Sequence, residues 1–209
     1  MKSRIVPVIA PLFAAVALSL AAVPAQANDW FVRVGAVTVS PKSDNGALAN
    51  GALSADIDND TQLGLILGRH LSPNLAIELL AATPFTHTAR LNGAEAVDFK
   101  HLPPTLSLQW YFAPESKVNP FVGAGLNYTL VYDEEPVTGG PVAGTKIGID
   151  NSFGVAAQAG LLVKLSDRWD LVLDARYLDI DADVKVNGAK VGTVNVDPMV
   201  YGLTFGYRF

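Results

Sequence analysis

The chain has 209 residues, half of them hydrophobic and only 17% charged, with a formal net charge of −5 and no cysteine. That composition excludes a disulfide scaffold and a zinc-thiolate site, and its acidic balance offers nucleic acid no basic surface to bind.

The N-terminus has the three parts of a secretory signal peptide. Met1-Lys2-Ser3-Arg4 is basic, the stretch from Ile5 to about Val23 is apolar, and Ala25-Gln26-Ala27 supplies a small-x-small cleavage pattern. Pro7, Pro11 and Pro24 interrupt the apolar run and argue against a retained transmembrane helix. Residues 1–27 are therefore expected to be removed, leaving one domain of residues 28–209. Loss of Lys2 and Arg4 takes the formal charge from −5 to −7. Beyond Ala27 no apolar run approaches the roughly 18 residues that a spanning helix needs. A mature chain that crosses a membrane must then do so as a closed barrel, which pairs every backbone donor and acceptor inside hydrocarbon.

The rest of the sequence alternates with period two. A first strand runs from Trp30 to about Val39, with Trp30, Val32, Val34 and Ala36 opposite Arg33 and Gly35. Lys42 to about Asp58, rich in Gly, Asn, Ala, Ser and Asp, reads as a long polar loop. A second strand sets Leu63, Leu65 and Leu67 against Gln62, Gly64, Ile66 and Gly68, and Ser72-Pro73-Asn74 is a tight turn. A third sets Leu75, Ile77, Leu79 and Ala81 against Ala76, Glu78, Leu80 and Ala82, until Pro84-Phe85-Thr86-His87 disturbs the pattern. After a loop around Leu91 to Ala96, a fourth points Leu106, Leu108, Trp110 and Phe112 outward and Thr105, Ser107, Gln109 and Tyr111 inward.

The fifth strand places Val122, Ala124, Leu126, Tyr128 and Leu130 opposite Gly123, Gly125, Asn127 and Thr129, and Glu134 to about Gly148 forms a further loop. The sixth sets Phe153, Val155, Ala157, Ala159, Leu161 and Val163 against Gly154, Gln158, Gly160 and Lys164. The seventh sets Trp169, Leu171, Leu173, Ala175 and Tyr177 against Asp170, Val172, Asp174 and Arg176. An Asn187-Gly188 hairpin leads to the last strand, where Tyr201, Leu203, Phe205, Tyr207 and Phe209 face away from Gly202, Thr204, Gly206 and Arg208. Large apolar residues on one face, small or polar ones on the other and a terminal aromatic together describe an outer-membrane strand. Eight strands with alternately long and short connections predict an all-β, eight-stranded antiparallel transmembrane up-and-down β-barrel with both termini in the periplasm. Its interior is wide enough for side chains or one slim ligand and too narrow for an aqueous pore.

Several blocks carry a resemblance. They are Leu67-Gly68-Arg69, the run from Leu75 through Pro84-Phe85-Thr86-His87, Leu102-Pro103-Pro104-Thr105-Leu106, and Pro120-Phe121-Val122-Gly123-Ala124-Gly125-Leu126-Asn127-Tyr128-Thr129. Asp179-Ile180-Asp181, Asp197-Pro198 and Gly206-Tyr207-Arg208-Phe209 complete the set. On these the chain resembles the OmpW family of small outer-membrane barrels, whose alkane-uptake branch includes AlkL. The resemblance implies a narrow hydrophobic lumen that passes small hydrophobic molecules across the bacterial outer membrane, with sideways release through the wall. The long outer loops, Lys42 to Asp58 and Glu134 to Gly148, match no family block.

The inner faces carry Glu78, Gln109, Asn127, Gln158, Asp174 and Arg176, expected to line the lumen as a polar segment. Arg176 is placed to neutralise Glu78 or Asp174 there, since a buried charge is costly unless paired. Pro84, Pro103 and Pro104 each withdraw a backbone donor near a strand end and mark where the wall can open, with Pro41 and Pro198 as further such positions. Trp30, Trp110, Trp169, Tyr111, Tyr207 and Phe209 are expected as interface anchors. Asp56, Asp58 and Asp60 lack the glycine and distal glutamate of a calcium loop and read as solvated, or at most as bridging lipopolysaccharide counterions. His70 falls far from His87 and His101, which could meet across a hairpin, and no Gly-x-Ser-x-Gly surrounds any of them.

No catalysis, cofactor or metal is expected. The expected partners are outer-membrane lipid, lipopolysaccharide and small hydrophobic compounds, with periplasmic chaperones and the barrel assembly machinery engaging the C-terminal aromatic strand. The alternatives are a structural or receptor barrel without transport, and an outer-membrane lipid hydrolase built on His87 and His101.

Overall fold

A computed structural model describes residues 29–209, so the expected signal peptide lies outside the described residues. In chain order the strands are β1 (Trp30–Ser40), β2 (Ala47–Leu48), β3 (Leu53–Ile57), β4 (Asp60–His70), β5 (Leu75–Ala82), β6 (Phe85–Leu91), β7 (Ala94–Leu102) and β8 (Thr105–Tyr111). They continue as β9 (Val118–Pro136), β10 (Ile147–Ile149), β11 (Ser152–Lys164), β12 (Trp169–Leu178), β13 (Asp181–Val186), β14 (Ala189–Asn195) and β15 (Met199–Arg208). Eight of them, β1, β4, β5, β8, β9, β11, β12 and β15, pair antiparallel in that order. The β1–β15 and β9–β11 ladders close the circuit. The fold class is the eight-stranded barrel the alternation predicts, and closure leaves its wall without an edge.

The period-two pattern fixes which side chains meet lipid. Leu63, Leu65, Leu106, Leu108, Val122, Leu126, Phe153, Val155, Leu173, Leu203 and Phe205 are all large, apolar and exposed. In a soluble barrel such residues would fill the interior; here they form the outer band of a membrane barrel. At the end where residues 29 and 209 lie, the base, Trp169, Tyr207 and Phe209 form an edge-on aromatic series at 5.0 and 5.4 Å. Arg69 sits over the Trp30 ring there. Tyr111 does not join this girdle: it is fully buried, because its place on β8 is in phase with inward Gln109 and Ser107.

A second storey, the crown, stands on the opposite end. β6 and β7 form a hairpin above β5 and β8, and the upper half of the 19-residue β9 pairs with β7. The turn is Asn92-Gly93, both with positive φ, and Asn187-Gly188 repeats it between β13 and β14. Two segments expected as plain loops also contribute strands. Within 42–58, β2 and β3 form a short hairpin and β3 pairs with β6; within 134–148, β9 extends to Pro136 and β10 pairs with β13. Local sequence shows no apolar face there, since each short strand is held by its neighbours. Together they enclose an apolar cluster that includes Leu48, Ala55, Leu91, Val97, Ile147 and Val184.

Small residues inside the wall are there to make room. A Cβ on Gly206 would collide with the Asp170 carboxylate, and one on Gly202 with that of Asp174. Leu203, outward at the middle of β15 between Ala36 and Leu173 on the neighbouring strands, tests the lipid-facing assignment. Leu203→Arg is expected to lower the unfolding free energy by about 2–4 kcal/mol, measured by urea unfolding in lipid vesicles.

Candidate functional site

The lumen holds a charge cluster contributed by strands that are far apart in sequence. Glu78 on β5 receives Arg33 Nη1 from β1 at 3.0 Å and Arg176 Nη2 from β12 at 2.8 Å. Arg176 Nε also donates to Asp174 Oδ2 at 2.6 Å. Arg33 Nη2 donates to the Tyr111 hydroxyl at 3.0 Å, and that hydroxyl donates to Gln109 Oε1 at 2.8 Å. Asp170 lies 3.7 Å from both Arg33 Nε and Arg208 Nη2. The Arg33 guanidinium lies 4.1 Å above the Phe31 ring. Side chains thus meet on the axis as paired, buried charges.

All six residues expected in the lumen are buried, and four of them, Glu78, Gln109, Asp174 and Arg176, share this network. Arg176 pairs with both carboxylates rather than one. Gln158 lies opposite Gly123 outside it. Asn127 belongs to a separate group, donating to Thr105 Oγ1 at 3.0 Å and accepting from Thr129 Oγ1 at 2.7 Å. Sequence reasoning placed Arg33 and Asp170 on inner faces but did not single them out. Their charge at an inward position of a narrow barrel was the available signal.

The prolines mark a split in the wall. The β5–β8 ladder ends at the pair Leu80 and Thr105, and the β6–β7 ladder starts at Phe85 and His101. Between them, residues 81–84, including Pro84, are not paired with residues 102–104, which include Pro103 and Pro104. One lip is tied to β4, with Thr83 N donating to Leu63 O at 2.9 Å. The other is tied to β9: Tyr128 N donates to Pro104 O at 3.1 Å, while Thr105 Oγ1 donates to Pro103 O at 3.0 Å. Each lip is therefore satisfied without the other, which is what a proline's missing donor permits. Pro198 lies beside the β12 end, where its oxygen accepts from Leu178 N.

Above the charge cluster and level with the split lies an apolar cavity of about 120 Å³. Leu48, Ile57, Leu91, Phe99, Val131 and Val184 are among its lining residues. His87 and His101 also line it and meet across the hairpin at 3.0 Å, Nε2 to Nε2, while His87 Nδ1 is 2.7 Å from Asp58 O. Burial drives both imidazoles toward the neutral form, His101 down to about 3. His70 is elsewhere, between the Phe31 and Tyr111 rings near the base. The histidines bond to each other and to backbone, not to a hydroxyl nucleophile. Among the described residues no group of three or more His, Cys, Asp or Glu is arranged to hold a metal. Asp58 and Asp60 are not simply solvated: their carboxylates accept from Thr88 N and Thr86 N, each at 2.8 Å, fixing β6 beside the start of β4.

The model of the OmpW family matches residues 26–209. The chain belongs to the OmpW family. Outer membrane protein W of Escherichia coli strain K12 is 37% identical over 208 residues, which cover 96% of this chain and 98% of that one. Outer membrane protein AlkL of Ectopseudomonas oleovorans is 29% identical over 78% of this chain and 72% of its own length. Among solved structures, the outer membrane protein OprG of Pseudomonas aeruginosa superposes with a TM-score of 0.78 at 33% identity, over 88% of this chain and 96% of that one. This OmpW-family chain is a bacterial outer-membrane protein, in contact with membrane lipid along its apolar band.

Glu78 is the shared acceptor of the plug. Glu78→Ala leaves two buried guanidinium groups short of a partner and is expected to cost about 3–5 kcal/mol in urea unfolding and to raise small-ion conductance in planar bilayers. The histidines set a pH dependence. A folded pKa below the ordinary value of 6.5 means that the unfolded chain takes up the proton first, so stability is full above about 6.5 and falls as pH drops toward about 3. The urea midpoint should decline between pH 7 and pH 4, and less steeply in His101→Phe.

Proposed function

We propose that this OmpW-family barrel is a passive conduit for small hydrophobic molecules, which enter the crown cavity from outside and leave sideways through the split beside Pro84, Pro103 and Pro104. One observation supports it above the rest: an apolar cavity stands directly over an axis filled by Arg33, Glu78, Arg176 and Asp174. An apolar molecule in that cavity has no favourable path down the axis, because separating buried ion pairs costs several kcal/mol. The two lips of the wall at residues 81–84 and 102–104 share no ladder pair. Opening there breaks no strand pairing, and the emerging molecule meets acyl chains. The lumen residues, Gln158 and Asn127 included, act in this reading as the barrier that turns the route.

Chemistry has no part in the proposal, and no cofactor is needed. Export with cleavage after Ala27, a single mature domain of residues 28–209, contact with lipopolysaccharide, and delivery by periplasmic chaperones to the barrel assembly machinery through the aromatic β15 complete the reading. Names of relatives agree in kind, being those of outer-membrane proteins rather than enzymes.

The test is uptake of an apolar fluorescent probe by liposomes containing the refolded barrel. Flux above that of empty liposomes is expected, and equality with them would leave a structural barrel without transport. Pro103→Ala with Pro104→Ala returns two backbone donors to one lip and is expected to lower flux severalfold while leaving probe binding in detergent unchanged.

A further inference from the structure

The hydrogen bonds around the crown cavity run in one direction. His87 Nδ1 faces the carbonyl oxygen of Asp58 at 2.7 Å, an atom that only accepts, so in a neutral His87 the proton sits on Nδ1 and Nε2 is a bare lone pair. His101 Nε2 stands 3.0 Å from that lone pair and is therefore the donor. A neutral His101 then has no proton left for its Nδ1, which is an acceptor. Among the described residues that nitrogen has no hydrogen-bond partner, although His101 is buried and lines the cavity.

The hydroxyl-bearing residue of the lining, Thr129, points the same way. Thr129 gives its proton to Asn127 Oδ1 at 2.7 Å and keeps only lone pairs. The remaining neighbours of the histidine pair are the Phe85 and Phe99 rings, with the Asp58 and Asp60 carboxylates already engaged by Thr88 and Thr86. Burial keeps both imidazoles neutral, so the acceptor persists at ordinary pH. The chamber is thus apolar on nearly all sides and carries side-chain acceptors without a matching donor. An unmet polar atom in such surroundings is costly, and a ligand that supplies the missing proton removes that cost.

Resting on the conduit reading, we propose that His101 makes the cavity selective for small apolar molecules bearing one hydrogen-bond donor, such as phenols and short alcohols, over ethers and hydrocarbons of the same size. The volume of about 120 Å³ suits one ring or a short chain; a dry engineered cavity of about 150 Å³ takes a single benzene.

The test is binding of phenol, anisole and toluene to the refolded full barrel in lipid nanodiscs, each corrected for partition into empty discs. Phenol is expected to be preferred over anisole about tenfold, the worth of one neutral hydrogen bond. In His101→Phe that preference should fall to within about twofold while toluene binding holds, and His101→Gln, which keeps an acceptor, should retain part of it. An equal phenol preference in the wild type and in His101→Phe, or none in the wild type while toluene binds, overturns the selectivity and leaves the conduit standing. Failure of all three probes to bind overturns the conduit and the selectivity with it. Should His101→Phe not fold by heat-modifiable gel migration, long-range 15N–1H correlation of the wild type decides: a His101 proton on Nε2 is expected, and one on Nδ1 overturns the proposal.

Discussion

Glu78 pairs with two guanidinium groups, one from β1 and one from β12, and the rest of the molecule is arranged around that shared carboxylate. An eight-stranded circuit brings inward side chains from all strands within contact of one another, so a charge on one strand must be answered by charges on others. Here β1, β5 and β12 answer one another, and glycines on β15 give Asp170 and Asp174 the space to turn inward. The axis is closed by chemistry as well as by size. Whatever occupies the crown is separated from the base by paired charge.

The two storeys share β9 as their spine. Its lower half pairs with β8 and β11 and its upper half with β7, so the crown cannot slide on the barrel without breaking the longest strand. One strand away the wall is different, because Pro84, Pro103 and Pro104 interrupt the β5–β8 hairpin where the two storeys meet. Thr105 caps the carbonyl oxygen of Pro103 from β8 itself, and Asn127 caps that of Pro104 from β9. The discontinuity is thereby fully hydrogen-bonded on that lip and stable as a discontinuity.

How much of this was legible in the sequence follows from which interactions are local. The lipid-facing band was legible almost residue by residue, because lipid selects one face of every strand and period two records it. Tyr111 shows the limit: its residue type suits a girdle and its phase suits the lumen, and phase decides. Arg33 was visible only as a polar residue opposite Val32 and Val34, since nothing in its own strand reveals that Glu78, two strands away in the circuit, is its partner. β2, β3 and β10 left no local pattern, being too short to show a period and held by partners distant in the chain. The meeting of His87 and His101 was one option among several until the Asn92-Gly93 turn fixed the register of their hairpin.

The ion pairs of the plug are a poor explanation of stability. Taking Arg33, Arg176, Glu78 and Asp174 out of water costs about as much as their attraction returns, and apolar side chains of equal volume would hold the barrel together as well. What apolar side chains could not do is distinguish the axis from the crown. An aliphatic column would extend the cavity's character toward the base, and a molecule that favours Leu48 and Val184 would find no reason to stop. Paired charges make the axis unlike the cavity at little net cost, and the split in the wall lies just above them, beyond the Leu80 and Thr105 pair. The histidine pair repeats the device on a smaller scale, since neutral imidazoles held by Asp58 give an apolar chamber one polar direction. On the proposed route, both features put polarity where it separates one path or one ligand from another, while Asn127, Thr129 and Gln158 show that the inner wall carries buried polar groups elsewhere as well.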